Sequence, residues 1–396
     1  MKQNRALTLL LINLFIPFLG IGLVIPVLPT LMNELGITGS TVGYMVATFA
    51  VSQLIVSPFA GRWVDSFGRK NMLLVGLLLF SVSEFLFGIG KGVEALFVSR
   101  FLGGISAAFI MPAVTAFIAD ITTNEQRAKA LGYMSAAIST GFIIGPGVGG
   151  LLAEFGTRVP FFVAAALALV AAVFTVTLLE EPKRQQVEDV VGEEMTGMSR
   201  MFSAKFFVPF MVILVSTIGL VAFESTFSLF VDHKFGFAPR DIAIVIMGGG
   251  IVGAIAQIIL FDPLTRWLGE IRVTRISFLV SAVLAYCMTI VHTYFLILLV
   301  TMFIFIGFDL IRPAVTSYLS KIAANEQGFV GGMNSMFTSI GNIIGPIIGG
   351  KLFDINLDFP YFFSVVILMI GYMLCFIWKA PVDKTPRPQQ QEANDA

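Results

Sequence analysis

The chain has 396 residues, of which 57% are hydrophobic and 13% charged, and its formal net charge is zero. Soluble proteins have about a quarter of their residues charged, so this composition excludes an ordinary soluble protein and indicates one embedded in lipid. The neutral charge balance does not suggest a nucleic-acid partner. The two cysteines, Cys287 and Cys375, lie in apolar runs, where neither a disulfide framework nor a cysteine metal site is expected.

Twelve apolar stretches follow one another between turns and charged breaks. A helix needs about 20 mainly apolar residues to cross a bilayer, so each stretch predicts a membrane span. They lie near residues 7–32, 39–62, 72–90, 94–119, 129–153, 159–179, 206–231, 239–261, 273–292, 294–318, 328–352 and 359–378. The first is too long for the core of a signal peptide and is expected to stay in the membrane. The sequence therefore predicts an all-α integral membrane protein.

The second half of the chain repeats the first. Residues 141–150 read GFIIGPGVGG and residues 341–350 read GNIIGPIIGG, and PAVT begins at Pro112 and again at Pro313. Each copy holds six spans, and because this number is even, both copies have the same orientation, which makes a parallel repeat. We divide the chain into an N-terminal half (1–180), a linker (181–205), a C-terminal half (206–380) and a polar tail (381–396).

The basic residues predict how the chain is oriented. With both termini in the cytoplasm, eighteen of the 25 basic residues fall on cytoplasmic segments and two lie inside spans. The outer loops hold only five, which are Lys91, Arg158, Lys234, Arg240 and Lys351. An excess of this kind is what the positive-inside rule expects. The polar linker and tail are then cytoplasmic.

A ten-residue loop between spans two and three reads GRWVDSFGRK, residues 61–70. Gly61 and Gly68 permit close helix contact and a tight reversal. Asp65 can pair with Arg69, next to Lys70, or cap a neighbouring helix end, and either contact would hold a charge network at the cytoplasmic face. The alternative interpretation is a basic loop that only orients the chain. The equivalent loop in the second half, DPLTRWLGE, keeps an aspartate and a glycine but lacks the Arg-Lys pair.

Both repeated decapeptides carry a stripe of glycines, one at every fourth position. On a helix this spacing leaves a bare face that another backbone can approach closely. The glycines are Gly141, Gly145, Gly149, Gly341, Gly345 and Gly349, and Pro146 and Pro346 lie among them. Proline bends a helix, so these positions are either hinges for a conformational change or static kinks.

Several of these motifs resemble those of a known transporter family. GRWVDSFGRK resembles the loop signature of the major facilitator superfamily, GFIIGPGVGG resembles the fifth-helix motif of its drug/proton antiporters, and SRFLGG is similar to its fourth-helix motif. FLGIGLVIPVLP, AFES and GFDLIRPA match the pattern of its Bmr- and NorA-type multidrug efflux group. One departure is that the fifth-helix motif also occurs in span eleven, so part of its role must be structural.

The resemblance implies a major facilitator fold of twelve transmembrane helices in two halves of six. It further implies proton-coupled antiport that exports lipophilic, mostly cationic drugs by alternating access. Such a protein works as a monomer in the lipid of the bacterial cell membrane, with the proton gradient as energy source and no cofactor.

Five ionisable residues lie in the middle of predicted spans, where each costs about 2.5 to 3.5 kcal/mol on insertion scales. They are Glu84, Arg100, Glu224, Asp309 and Arg312, and none has a charged counterpart at the equivalent position of the other half. The scaffold is duplicated but the charges are not, which indicates a function specific to one site. A carboxylate withdrawn from water favours its protonated form, so we predict that Glu224 and Asp309 couple transport to protons.

The other central charges leave alternatives open. Asp309 and Arg312 are three residues apart on one helical face and could form a static ion pair, and Arg100 could bridge to a helix end instead of entering the cavity. Glu84 is a further buried charge. The predicted substrate-cavity residues, most of them taken from the resemblance, are Phe18, Gln53, Arg100, Met111, Phe142, Phe227, Phe305, Arg312, Asn334 and Thr338.

The runner-up function is a proton-coupled transporter of a specific metabolite. A sugar or an acid would require more polar positions in the cavity-lining spans, whereas span one is almost wholly apolar. A channel or a receptor would also fit twelve helices, but neither accounts for central carboxylates that the other half lacks. An enzyme is not indicated, because His233 and His292 lie near loops and no metal-ligand spacing or ATP-binding GxxxxGK[ST] motif occurs.

Overall fold

The computed structural model describes residues 2–182, 204–323 and 327–378. Most of the predicted linker and the whole tail lie outside these ranges. Within them the chain is helical and contains no strand. Twelve helices are long and apolar enough to cross a membrane, and the first of these is interrupted by a short 3-10 turn.

The helices of the N-terminal half are α1 (Lys2–Val24), a 3-10 turn (Ile25–Val27), α2 (Leu28–Leu35), α3 (Gly39–Phe67), α4 (Arg69–Ile89), α5 (Val93–Ile121), α6 (Asn124–Ala153) and α7 (Val159–Leu178). Those of the C-terminal half are α8 (Ala204–Phe235), α9 (Pro239–Leu268), α10 (Glu270–Ile290), α11 (Tyr294–Ala323), α12 (Gln327–Ile355) and α13 (Phe359–Ile377). The turn and α2 continue α1, so each half contributes six spans.

Tight reversals join equivalent helices in the two halves. Gly68 separates α3 from α4 with a φ of 98°, and Gly269 separates α9 from α10 with a φ of 77°. These are left-handed conformations that glycine adopts without a steric penalty. The prediction of a tight reversal at Gly68 is confirmed, and its repeat at Gly269 shows that the turn belongs to the duplicated scaffold.

The two glycine stripes pack against the first helix of their own half. A Cβ atom added to Gly141 would lie 2.9 Å from the Leu19 backbone nitrogen of α1. A Cβ atom added to Gly341 would lie 2.6 Å from Cβ of Thr217 in α8. Such separations are too short for any larger side chain, so close packing of α6 on α1 and of α12 on α8 is confirmed. Pro146 and Pro346 lie inside α6 and α12.

The halves touch each other at one end of the bundle, which we call the distal face and which carries Gly39 and Asp354. There the Asp354 carboxylate accepts hydrogen bonds from the backbone N–H groups of Gly39 at 2.7 Å and Ser40 at 3.0 Å, which joins α12 to the start of α3. Between α6 and α9, Arg240 lies 3.6 Å from Glu154. The distal face is therefore closed by contacts between the halves.

At the opposite end, the proximal face, which carries Arg69 and Glu270, the same helices stand apart. A Cβ atom added to Gly61 of α3, to Gly132 of α6 or to Gly331 of α12 would meet no atom within 4 Å. The close helix contact expected at Gly61 is thus not a feature of this conformation, because the end of α3 faces open space. The space between the halves opens toward the proximal face.

Candidate functional site

A cavity of about 440 Å³ lies between the two halves. Its walls come from the 3-10 turn, α6, α8, α9 and α11, so neither half could form it alone. The lining residues are Ile25, Ile138, Ser139, Phe142, Ile143, Phe223, Glu224, Phe227, Ile246, Gly250, Ala254, Gln257, Phe305, Asp309 and Arg312. The wall is mainly apolar and aromatic, with all its ionisable groups on α8 and α11.

Glu224 and Asp309 reach this cavity from different helices, α8 and α11. Glu224 is exposed to the cavity and Asp309 is half-buried. The neighbouring wall includes Phe227, which is buried, and Phe305, which is half-buried. The tertiary structure therefore brings together two carboxylates, 85 positions apart in the sequence, within an aromatic enclosure.

Arg312 is the one basic residue in the lining of this cavity, one helical turn after Asp309. Among the described residues, no hydrogen bond or ion pair joins the two side chains. Arg312 is exposed to the cavity. A static Asp309–Arg312 pair is therefore not a feature of this structure, and both charges remain available to a molecule in the cavity.

Arg100 does not line the cavity, which corrects the sequence prediction. Its guanidinium lies 3.0 Å from the carboxylate of Glu84 and 4.4 Å from the ring centre of Phe87. Both charged residues are buried, Arg100 to 9% and Glu84 to 1% exposure. The reason is the antiparallel packing of α4 and α5, which places residues 16 apart at the same depth.

A second link, made of hydrogen bonds, joins α4 and α5 at the same depth in the membrane. The Ser83 hydroxyl donates to the Ser99 carbonyl at 2.7 Å, and the Ser99 hydroxyl donates to the Ser83 carbonyl at 2.8 Å. The ion pair and this reciprocal pair bind the two helices together, so the alternative interpretation of Arg100 as a structural bridge is the one that the geometry supports.

Three other predicted cavity residues, Phe18, Gln53 and Met111, line a smaller apolar pocket of about 80 Å³ inside the N-terminal half. The ring of Phe18 packs edge-on against the ring of Phe142, with 5.0 Å between their centres. Because Phe142 lines the main cavity, this aromatic pair forms the boundary between the two spaces. The three residues therefore lie next to the main cavity and do not line it.

Asn334 and Thr338 line neither of these two spaces, although both were predicted to do so. They lie four residues apart on α12, on the face that also carries Gly341. Among the described residues, Oδ1 of Asn334 and Oγ1 of Thr338 are buried without a hydrogen-bond partner. Their sequence positions placed them on a helix that borders the cavity, but this face of the helix turns toward α8.

The family assignment rests on nearly the whole chain. The sequence profile of the Major Facilitator Superfamily matches residues 10–273 and 210–395. The chain belongs to the major facilitator superfamily. It is therefore a membrane transport protein and not an enzyme, and its twelve helices form the fold that the resemblance implied.

Two curated relatives and one solved structure extend this assignment. The chain is 65% identical to "Multidrug resistance protein 1" of Bacillus subtilis (strain 168), over 96% of this chain and 98% of that protein. It is 44% identical to "Quinolone resistance protein NorA" of Staphylococcus aureus, over 95% of this chain and 97% of that protein. A bacterial homologue of the human lysosomal transporter Spinster, 15% identical, shares the fold with a TM-score of 0.82, covering 95% of this chain and 96% of that one.

The superfamily loop forms a charge network at the proximal face. Arg69 contacts Asp65 at 3.0 Å and Asp120 of α5 at 2.8 Å. The Glu181 carboxylate accepts hydrogen bonds from the backbone N–H groups of Arg69 at 2.5 Å and Lys70 at 3.0 Å, at the start of α4. Of the two roles predicted for Asp65, pairing with Arg69 is the one that the structure shows. Asp120 and Glu181 extend it to α5 and to the segment that follows α7, a link that the loop sequence alone did not indicate.

In the second half a different network takes this place. The Glu270 carboxylate, at the start of α10, pairs with Lys321 and accepts a hydrogen bond from the Ser317 hydroxyl at 3.2 Å. The superfamily scaffold thus holds the ends of equivalent helices with unrelated residues, which explains why the second loop does not need the Arg-Lys pair.

Sequence reasoning missed two polar residues of the cavity, Ser139 and Gln257. Both are exposed to the space between the halves. Gln257 is the one polar side chain in the apolar run IVGAIAQIILF, and this isolation was a usable signal. It was overlooked because only charged residues were compared between the halves.

Proposed function

We propose that this protein is a proton-coupled multidrug efflux antiporter that exports lipophilic, mostly cationic compounds. The observation that carries the proposal is a pair of carboxylates, Glu224 and Asp309, in an aromatic cavity between the halves. The names of the two curated relatives, which refer to multidrug and quinolone resistance, support drugs as the substrate class. A single chain forms the whole cavity, which supports function as a monomer.

Competition at the carboxylates explains how drug and proton exchange. In an apolar cavity a carboxyl group favours its protonated, neutral form, whereas a nearby cation favours the ionised carboxylate. The aromatic rings of Phe142, Phe227 and Phe305 attract a lipophilic cation through apolar contact and cation–π attraction. Binding of the cation therefore favours proton release from Glu224 and Asp309, and protonation favours release of the cation. The proton gradient supplies the energy, without a cofactor.

One end of the bundle is closed and the other is open, as alternating access requires. The distal face is closed by the Asp354 contact with α3 and by the contacts of α6 with α9, while the proximal ends of these helices stand apart. Rocking the halves about the cavity would exchange the open end for the closed one. The distribution of basic residues supports cytoplasmic termini in the bacterial plasma membrane, and the conformation described here then receives substrate from the cytoplasmic side.

The proposal is tested by transport into inside-out membrane vesicles. With an inward-acid pH gradient imposed and ATP absent, the wild type should drive ethidium into the vesicles and release protons in exchange. Glu224→Gln and Asp309→Asn should abolish this transport. Glu94→Gln is the matched control, because Glu94 is an exposed carboxylate at the start of α5, away from the cavity.

Two results would overturn the proposal. If both carboxylate variants still accumulate dye at the wild-type rate, the assignment of Glu224 and Asp309 is wrong. If the wild type transports only with ATP and regardless of the pH gradient, the protein is not an antiporter.

A further inference from the structure

The face of α9 that packs on α11 is made of glycine where it meets two cavity residues. A Cβ atom added to Gly249 would lie 2.5 Å from Cδ2 of the Phe305 ring. A Cβ atom added to Gly253 would overlap Oδ2 of Asp309 and lie 3.2 Å from its Cγ. The two glycines are one helical turn apart, as are Phe305 and Asp309, so each glycine lies opposite one of these side chains.

The Asp309 carboxylate therefore packs directly on the backbone of α9. Among the described residues it has no hydrogen bond or ion pair, so packing against Gly253 directly limits where the carboxylate can lie. Gly253 is buried and the position leaves no room for a methyl group. An added methyl group must push the carboxylate away from α9 and into the cavity.

Few ionisable groups face Asp309 in the cavity. Of the helices packed against α11, α8 contributes Glu224 to the cavity, α9 contributes Gln257 but no ionisable group, and α10 and α12 contribute no lining residue. Arg312, on the same helix as Asp309, completes the set. Displacement of the carboxylate from Gly253 changes its distance to both of these charges and to any bound cation.

We infer that Gly253 is a positioning residue, which holds the Asp309 carboxylate in the place where it exchanges a proton for a cationic substrate. This inference rests on the proposed function, since it assigns Asp309 that exchange. Positioning differs from a general packing role, because the effect of substituting Gly253 must then depend on the presence of the Asp309 carboxylate.

The test measures binding of tetraphenylphosphonium to the purified full-length protein between pH 5.5 and 8.5. Gly253→Ala should weaken binding at high pH about tenfold, because the displaced carboxylate no longer lies at the same distance from the bound cation, and should shift the midpoint of the pH dependence of binding. Gly248→Ala is the matched control. Gly248 lies on the same helix, five residues before Gly253, but its Cβ would meet only the flexible end of Met302, at 3.1 Å. Binding to this variant should stay within about twofold of the wild type.

A second pair of variants separates positioning from folding. In an Asp309→Ala background the carboxylate is gone, so adding Gly253→Ala should change neither binding nor melting temperature further. If Gly253→Ala lowers the melting temperature equally in both backgrounds, or if it binds the cation like Gly248→Ala, the inference is wrong. If Asp309→Ala itself keeps the wild-type pH profile, the assignment of Asp309 in the proposed function fails, and the inference fails with it.

Discussion

The contact between Asp354 and the start of α3 makes a sharp prediction about the conformational equilibrium. This carboxylate links residues 315 positions apart and joins the two halves at the distal face. Opening the distal face must break both of its hydrogen bonds. Asp354→Ala should therefore shift the protein toward the conformation that is open at the distal face, and Asp354→Asn should have a smaller effect because the amide oxygen still accepts a hydrogen bond.

The expected magnitude follows from the geometry. Hydrogen bonds to a charged group contribute about 1.5 to 3 kcal/mol when they are protected from water. Asp354 is exposed, so water can replace much of the stabilisation that these hydrogen bonds provide. A charge at an exposed helix N-terminus contributes about 0.3 to 1 kcal/mol. We therefore expect about 1 kcal/mol for the whole contact, which corresponds to about a fivefold change in the ratio of closed to open protein. Glu154→Ala should have less effect, since the Glu154–Arg240 pair is longer and both side chains are at least half exposed.

Spin labels on the distal loops would measure this ratio. Lys91→Cys and His292→Cys place one label on each half, both at exposed loop positions, in a background where Cys287 and Cys375 are replaced by alanine. Double electron–electron resonance in liposomes then gives the populations of short and long distances. The long-distance population should grow in Asp354→Ala.

Glu94→Ala serves as the control, because it removes an exposed distal carboxylate that, within the part of the chain that the structure describes, makes no hydrogen bond or ion pair to the other half. If Asp354→Ala gives the same distance distribution as Glu94→Ala, the contact does not stabilise the closed distal face and the reasoning is refuted.

Three further predictions concern stability and transport. Glu84→Gln leaves the guanidinium of Arg100 buried without its counter-charge, and loss of a buried partner costs about 3 to 5 kcal/mol. The melting temperature in detergent should fall markedly, and an unchanged value would show that the pair does not support α4 and α5. Gly68→Ala forces alanine into a positive φ, which costs about 1 to 3 kcal/mol, so the melting temperature of this variant should also fall. Gly61→Ala, in open helical space, should melt no lower than the wild type yet slow transport, and a wild-type transport rate would argue against close packing at Gly61 in the other conformation.

Much of the scaffold could be predicted from the sequence because its causes are local. Each apolar run is long enough to cross the bilayer, and a helix in lipid must satisfy its own backbone hydrogen bonds. Gly68 indicated a reversal because few other residues adopt its backbone conformation. The stripe that begins at Gly141 indicated a close helix contact, since glycine spacing alone decides which face of a helix is bare.

The cavity could be predicted only in part. Glu224 and Asp309 were found because they are costly in lipid and have no counterpart in the repeat. Gln257 was missed because an uncharged side chain carries a weaker signal. Arg100 satisfied the same criterion as Asp309, yet it lies elsewhere, because the sequence does not show that a neighbouring helix brings Glu84 to its depth.

By itself, then, the sequence determined that the chain forms twelve membrane helices in two equivalent halves, and which charges have no counterpart in the repeat. These properties depend on each segment and its solvent. Only the tertiary structure decided which of those charges share a cavity, that Asp309 rests on Gly253, and that the distal face is the closed one. These depend on contacts between helices distant in sequence, which no single segment specifies.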